Sequence, residues 1–329
     1  MKISFGIHLV TPGPLMRRDE ISQFSDLVRM AEDYGAEAIG TYDSAFIGGD
    51  AYVRATAIAM ASRRAKVGLR PTNPLTREPQ VMASFLASID SLTEGRAFMD
   101  IASGDSAVLN IGYNIASRAR IEDYVTCIRD LLARGEATYQ RRPQRVRWSA
   151  NAVRPSIPIS ICAEGPKMLH LGGRVGDAVI AGTGLLSEVI GDTVARIQAG
   201  AVDAGRSPSD VDIWFTTRTA LHEDHAKGIE NVKASVSSIL NHSMRQTLDG
   251  KNVPEELRAK IRVPSGKVIQ GRKMYPASGF ESPEEAISDP PWCPSLSSRR
   301  FHIRVSCDSP LSMTPRFVGP SGIGYARPN

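Results

Sequence analysis

The amino-acid sequence predicts an α/β fold of TIM type, a (β/α)8 barrel, whose eighth strand and C-terminal closure the sequence leaves open. Three observations predict it. A unit of short apolar strand, polar or glycine-containing turn and amphipathic helix recurs along the first 221 residues. The strands are apolar almost throughout, as strands covered on both faces are, which makes the sheet parallel. Seven such units in succession outrun the roughly five or six strands usual in an open doubly wound sheet.

The elements follow in order. Residues 4–10 (SFGIHLV) read as the first strand; behind it Ile21, Phe24, Leu27, Val28 and Ala31 recur at helical spacing, ahead of a C-cap at Gly35. The second strand is placed at 36–46 (AEAIGTYDSAF), with a helix of small residues, VRATAIAMAS, after it. The third, KVGLRPTNP at 66–74, leads to a helix that opens on Pro79, a residue suited to a first helical position, and carries Val81, Leu86 and Ile89. The fourth is RAFMDIASG (96–104), and the helix RIEDYVTCIRDLLARG (120–135) ends on Gly135. The fifth, sixth and seventh are IPISICAEG (157–165), DAVIAGTG (177–184) and DVDIWFTTRTAL (210–221). Beyond them the stretches HEDHAKGIENVKASVSSILNHSMRQTL and PEELRAKI read as helices, and VIQG (268–271) and FHIRVSC (301–307) are the candidates for the eighth strand. From Asp289 onward seven prolines fall within 41 residues, so the expected division is a barrel domain over 1–288 and an irregular Pro-rich tail over 289–329.

Composition narrows the function classes. The chain has 329 residues, 42% hydrophobic and 23% charged, as ordinary soluble proteins do. No apolar run approaches the roughly 20 residues that span a bilayer, so no membrane is expected. MKISFGIHLV enters a strand pattern without the features of a signal peptide, which makes a cytoplasmic location the expectation. The cysteines (Cys127, Cys162, Cys293, Cys307) form no CxxC pair; two lie in apolar segments and read as small core residues. His222 and His225 have a metal-like spacing with no third ligand in view, so no metal is expected. A net charge of +5 leaves room for an anionic ligand, but no basic run with interleaved aromatics suggests nucleic acid.

In barrels of this type the active site gathers at the C-terminal ends of the strands. Here those ends carry His8, Asp43, Thr72, Asn73, Ser103, Gly104, Asp105, Glu164, Gly165, Pro166, Lys167, Gly182, Thr183, Gly184 and Arg218. AEGPKM (163–168) passes from strand to helix at once. Either it is a plain reversal that Pro166 starts, or an anion rests on the new helix's first turn, where Gly165 allows close approach and Lys167 adds a full charge. GTGL (182–185), on the next strand, is placed as the second half of such a phosphate site. Asp105 is either an acid or base at the mouth, or it or Ser106 caps the segment that follows.

TNPLTREP, LTEGRAFMDIASGDS and IPISICAEGPKMLHLGGRVGDAVIAGTG, in this order and spacing, resemble the bacterial luciferase-like flavin-dependent oxidoreductases, and within them the subgroup containing methylenetetrahydromethanopterin reductase. The resemblance covers about residues 1–220. It implies a barrel that holds FMN, or alternatively the deazaflavin coenzyme F420, at its mouth. Gly165, Pro166 and Lys167, in the turn that begins at Glu164, would hold the cofactor phosphate with Gly182 and Thr183. Thr72 and Asn73 would lie against the ring system, where the family has a non-proline cis peptide; Asp43, Ser103, Gly104 and Asp105 would line the ring edge and substrate side. Some deazaflavin enzymes of the family carry a histidine after the strand-two aspartate, where this chain has Ser44, which leaves Asp105 as the best acid or base. The leading expectation is an FMN-dependent monooxygenase acting on a small organic substrate, with reduced FMN from a partner flavin reductase. A coenzyme F420-dependent hydride transferase is the alternative, and a flavin-binding barrel without turnover a further one. The family likeness also implies a homodimer.

Overall fold

The computed structural model describes residues 4–9, 18–220, 222–244 and 248–251. Seven parallel strands form one sheet in the order β1-β2-β3-β4-β7-β8-β9, a single curl of TIM-barrel type. The strands are β1 Gly6–His8, β2 Ala38–Thr41, β3 Lys66–Thr72, β4 Ala97–Ile101, β7 Ile159–Ala163, β8 Ala178–Ala181 and β9 Asp212–Phe215. The helices between them are α1 Arg18–Asp33, α2 Ala51–Ala61, α3 Pro79–Leu92, the short α4 Ser106–Leu109, α5 Arg118–Arg134, α6 Pro166–Val175 and α7 Ser187–Asp203. The candidates for the eighth strand, the helix PEELRAKI and the boundary at 288/289 lie outside the described residues. The described residues belong to two compact units, one holding the barrel up to Thr216 together with Leu248–Lys251, the other running from Thr217 through α8, His225–Met244.

Two expectations shift. The second and seventh strands are shorter than the apolar pattern suggests, since the residues after Thr41 and Phe215 leave the ladder. An antiparallel hairpin, β5 Glu136–Tyr139 with β6 Arg142–Arg145, follows α5 and was not expected. Its sequence, EATYQRRPQR, is polar and carries no strand-like apolar run; the turn instead uses Gln140 and Arg141 at positive φ.

The helix termini form where the sequence punctuates them. Pro79 opens α3, Ser117 caps α5 by accepting the Arg120 amide at 3.2 Å, and Gly135 ends α5 at φ 77°. Alternate strand residues face outward. Ile39, Val67, Leu69, Met99, Ile101, Ile159 and Ile161 pack with Ile58, Leu86, Ile128 and Leu131 from α2, α3 and α5 in one buried cluster. Burial of each such side chain contributes about 1.5–3 kcal/mol.

The inward positions are not uniformly apolar. The buried Arg70 on β3 pairs with the fully buried Asp100 on β4 and lies 4.7 Å over the Phe98 ring. Gly6 and Gly40 leave room for it, because a methyl group on Gly40 would stand 2.7 Å from Arg70 Cβ and one on Gly6 would strike the guanidinium. Burial raises the Asp100 carboxyl and the paired Arg70 charge opposes that rise. A buried ion pair of this kind constrains which residues may line the barrel more than it stabilises the fold.

Candidate active site

Asp43 stands just past β2, and its carboxylate is held by hydroxyls from two other elements. Thr72 Oγ1, at the end of β3, donates to Asp43 Oδ2 over 2.8 Å, and Tyr52 Oη on α2 donates to the same oxygen over 3.1 Å. The Asp43 amide donates to the Pro71 carbonyl at 3.0 Å, which fixes the main chain beside them. Burial raises the pKa of this carboxyl above the ordinary aspartate value; the hydroxyls of Thr72 and Tyr52 and the charge of Arg77 oppose the rise, and Asp50 adds to it. A carboxyl so placed keeps its proton to higher pH than a surface aspartate, as a general acid must. Tyr52 belongs to no motif, and nothing in the sequence alone pairs it with Asp43.

Beneath this loop lies Arg54, 1% exposed, donating through Nε to Thr41 Oγ1 at 3.0 Å and through Nη2 to the Tyr42 carbonyl at 2.9 Å. It anchors the end of β2 from below and so carries Asp43 on a fixed base.

Asp105 occupies the N-cap position of α4, yet its side chain makes no cap hydrogen bond; its carbonyl accepts the amides of Val108 and Leu109 at 3.0 and 2.9 Å. Ser106 does not cap either, because its hydroxyl shares a buried 2.8 Å hydrogen bond with Ser44. Each serine directly follows one of the two candidate aspartates, so this pair ties the Asp43 loop to the Asp105 loop. Gly104 takes φ +92° at the turn between, and Ser103 accepts the Ala116 amide at 2.7 Å.

Asn73, 2% exposed, turns its amide onto its own loop: Oδ1 accepts the amides of Leu75 at 2.9 Å and Thr76 at 3.0 Å, and Nδ2 donates to Thr76 Oγ1 at 3.0 Å. It shapes the β3–α3 turn. The cis peptide of this stretch is a correction to expectation: it is the Arg70–Pro71 bond and not a non-proline bond at Thr72–Asn73, since the chain itself supplies a proline there. It coincides with the register shift between Leu69 and Thr72 in the pairing of β3 with β4.

The two loops of the expected phosphate site are adjacent. β7 and β8 pair with Ala163 opposite Ala181, the Gly182 amide donates to the Ala163 carbonyl at 3.0 Å, and a Cβ on Gly182 would approach Glu164 Cγ to 3.0 Å. α6 starts on Pro166 with Gly165 as its N-cap. Among the described residues, a Cβ on Gly165 would meet only Lys251 Cε, at 3.9 Å, and one on Gly184 would meet nothing within 4 Å. No described residue therefore fills the front of this helix N-terminus, and the exposed Lys167 and the half-buried Lys251 lie beside it. Burial lowers the Lys251 pKa and the Glu164 carboxylate opposes this. That donor set fits an anionic group such as a phosphate. Thr183 turns its hydroxyl to Thr193 on α7, 2.9 Å away. Lys251 was missed in the sequence, being about 85 positions from the turn it faces.

Arg218 belongs to the second unit. His222 accepts the Asp224 amide at 2.9 Å, and no cluster of metal-binding side chains occurs among the described residues. Nor is any described helix long and apolar enough to cross a membrane.

Residues 3–286 match the family model of the luciferase-like monooxygenases. The chain belongs to the luciferase-like monooxygenase family. It is an oxidoreductase, as its relatives are. It is 26% identical over 272 residues to the 5,10-methylenetetrahydromethanopterin reductase of Methanolobus tindarius, covering 82% of this chain and 80% of that one. In fold it is similar to the coenzyme F420 dependent tetrahydromethanopterin reductase of Methanopyrus kandleri, with a TM-score of 0.62 at 24% identity over 73% of each chain. The monooxygenase RslO1 of Streptomyces bottropensis shares the fold at TM-score 0.56 and 20% identity, over 74% of this chain and 78% of that one. The two reductases are more similar to this chain than the monooxygenase is.

Proposed function

We propose that this luciferase-like protein is a coenzyme F420-dependent oxidoreductase that exchanges a hydride with a small organic substrate. The observation that carries the reading is its likeness, across four-fifths of its length, to the 5,10-methylenetetrahydromethanopterin reductases. The geometry supports it with a mouth built for proton transfer and an anion cradle. Bound at the mouth, the deazaflavin supplies two-electron hydride chemistry without reaction with oxygen. Gly165, Lys167 and the Gly182–Gly184 loop would hold its phosphate, with Lys251 as a second cation. Asp43 would hold the proton that accompanies the hydride, its proton affinity raised by burial. Asp105, joined to it through the Ser44–Ser106 hydrogen bond, would orient the substrate. A homodimer and a small-molecule substrate are part of the same proposal.

A titration of the purified protein with coenzyme F420 and with FMN tests the reading. Preferential binding of the deazaflavin, with hydride transfer indifferent to oxygen, is the expected result. Tight FMN binding and oxygen consumption would instead support an FMN-dependent monooxygenase fed by a flavin reductase. Ser44, in the place of a histidine found in some deazaflavin relatives, is the feature that favours this second reading.

A further inference from the structure

We infer that Tyr52 and Arg77 are positioning residues for Asp43: they hold Oδ2 as the hydrogen-bonded oxygen and leave the carboxyl proton to Oδ1. The inference rests on the reading of Asp43 as a proton donor. Oδ2 receives both hydroxyls, from Thr72 at 2.8 Å and Tyr52 at 3.1 Å, while Oδ1 makes no hydrogen bond to any described residue. An oxygen that accepts two donors has little lone-pair density left for a proton, so the proton goes to the other oxygen.

Tyr52 is not free to turn away. The Arg77 guanidinium lies 3.2 Å from its ring centroid, and Phe85 meets the ring edge-on at 4.7 Å. Arg77 in turn lies 3.6 Å from Asp50, whose carboxylate caps α2 by accepting the amides of Tyr52 at 2.8 Å and Val53 at 3.1 Å. The fully buried Tyr124 on α5 donates to the Arg77 carbonyl at 3.0 Å and fixes the other end of that residue. Asp50, Arg77, Tyr52 and Asp43 thus form a closed circuit between the β2–α2 and β3–α3 loops.

The charged and titratable groups facing Asp43 are Asp50 from its own loop, Tyr52 and Arg54 from α2, Arg77 from the β3–α3 loop and Tyr124 from α5. Burial and the Asp43 charge push the Tyr52 hydroxyl well above its ordinary pKa, so it remains a donor while Asp43 titrates.

The test follows the 13Cγ resonance of Asp43 with pH in the cofactor-free, full-length protein, assigned by its loss in Asp43→Asn. In Tyr52→Phe and in Arg77→Gln the titration midpoint rises, because a donor or a positive charge favouring the carboxylate is gone; Arg77→Lys keeps it near the parent value. In the parent protein the Tyr52 13Cζ resonance, identified by its contact with Phe85, moves with the same midpoint as Asp43. A midpoint unmoved in folded Tyr52→Phe, or a Tyr52 resonance flat through the Asp43 transition, would overturn the inference. None of these readings uses a cofactor, so a failed deazaflavin titration would remove the functional proposal and leave this result standing.

Discussion

Glu32, at the end of α1, offers a test of how the barrel's loops are fixed. Its side chain is fully buried, and the turn between α2 and β3 closes around it. Oε1 accepts the Ser62 hydroxyl at 2.7 Å and the amides of Arg63 at 3.0 Å, Arg64 at 3.0 Å and Ala65 at 2.8 Å. Burial by itself would raise this carboxyl, but the donors from Ala65, Arg64, Ser62 and Arg63 prevail and bring it from 4.5 to about 2. That difference corresponds to about 3 kcal/mol. The folded-state pKa is the lower one, so the stabilisation is present above the unfolded pKa and is lost as pH falls from 4.5 toward about 2. Glu32→Gln removes the titration while keeping the shape. Urea unfolding of both proteins at matched ionic strength should show the parent ahead by about 3 kcal/mol near neutral pH, with the gap closing in that acid window. A gap that does not change with pH would mean that the carboxylate is not held by its charge, and the argument for this turn would fail.

Lys167→Ala should weaken cofactor binding about 10- to 150-fold, since a charge-assisted phosphate contact is worth about 1.5–3 kcal/mol; unchanged affinity in a fluorescence titration would make the start of α6 a plain turn. Asp43→Asn should lower turnover about 10²–10⁴-fold while the cofactor dissociation constant stays within a few-fold. Asp105→Asn should lower turnover in a protein that still folds; full activity would deny Asp105 any part in the chemistry. Gly200→Ala would drive a methyl group into the His170 carbonyl of α6, forcing α6 and α7 apart. It should cost about 1–3 kcal/mol and also weaken the cofactor, because the helix that faces the phosphate moves; lowered stability with unchanged affinity would separate the two.

The sequence by itself determined the order of strands and helices in the barrel-type sheet and the loops that stand at its C-terminal end. Strand residues such as Ile39, Leu69, Met99 and Ile161 are apolar because helices cover them, and that local pattern survives without coordinates. Pro79, Gly135 and Pro166 mark helix ends through backbone constraints carried by the residue itself. The strand-to-helix turns at 163–168 and 182–185 were legible for the same reason, since strand parallelism puts consecutive C-terminal ends side by side. The Arg70–Asp100 pair left a trace, a lone charge inside each of two neighbouring apolar strands, but only register decides that they meet.

What only the tertiary structure decided is partnership across the chain. Asp105 and Asp43 look alike as aspartates at strand ends; the difference is that Asp43 receives Thr72 from β3 and Tyr52 from α2, and is buried beside Arg77. Asn73 has the composition of a cofactor contact, and its amide is consumed within its own turn. Lys251 reaches the turn at Gly165 from 84 positions beyond Lys167. Hydrogen bonds and burial, which set proton affinity, depend on distances that periodicity does not encode, so the polar residues at the strand ends were visible as a set while their partners waited on the packing.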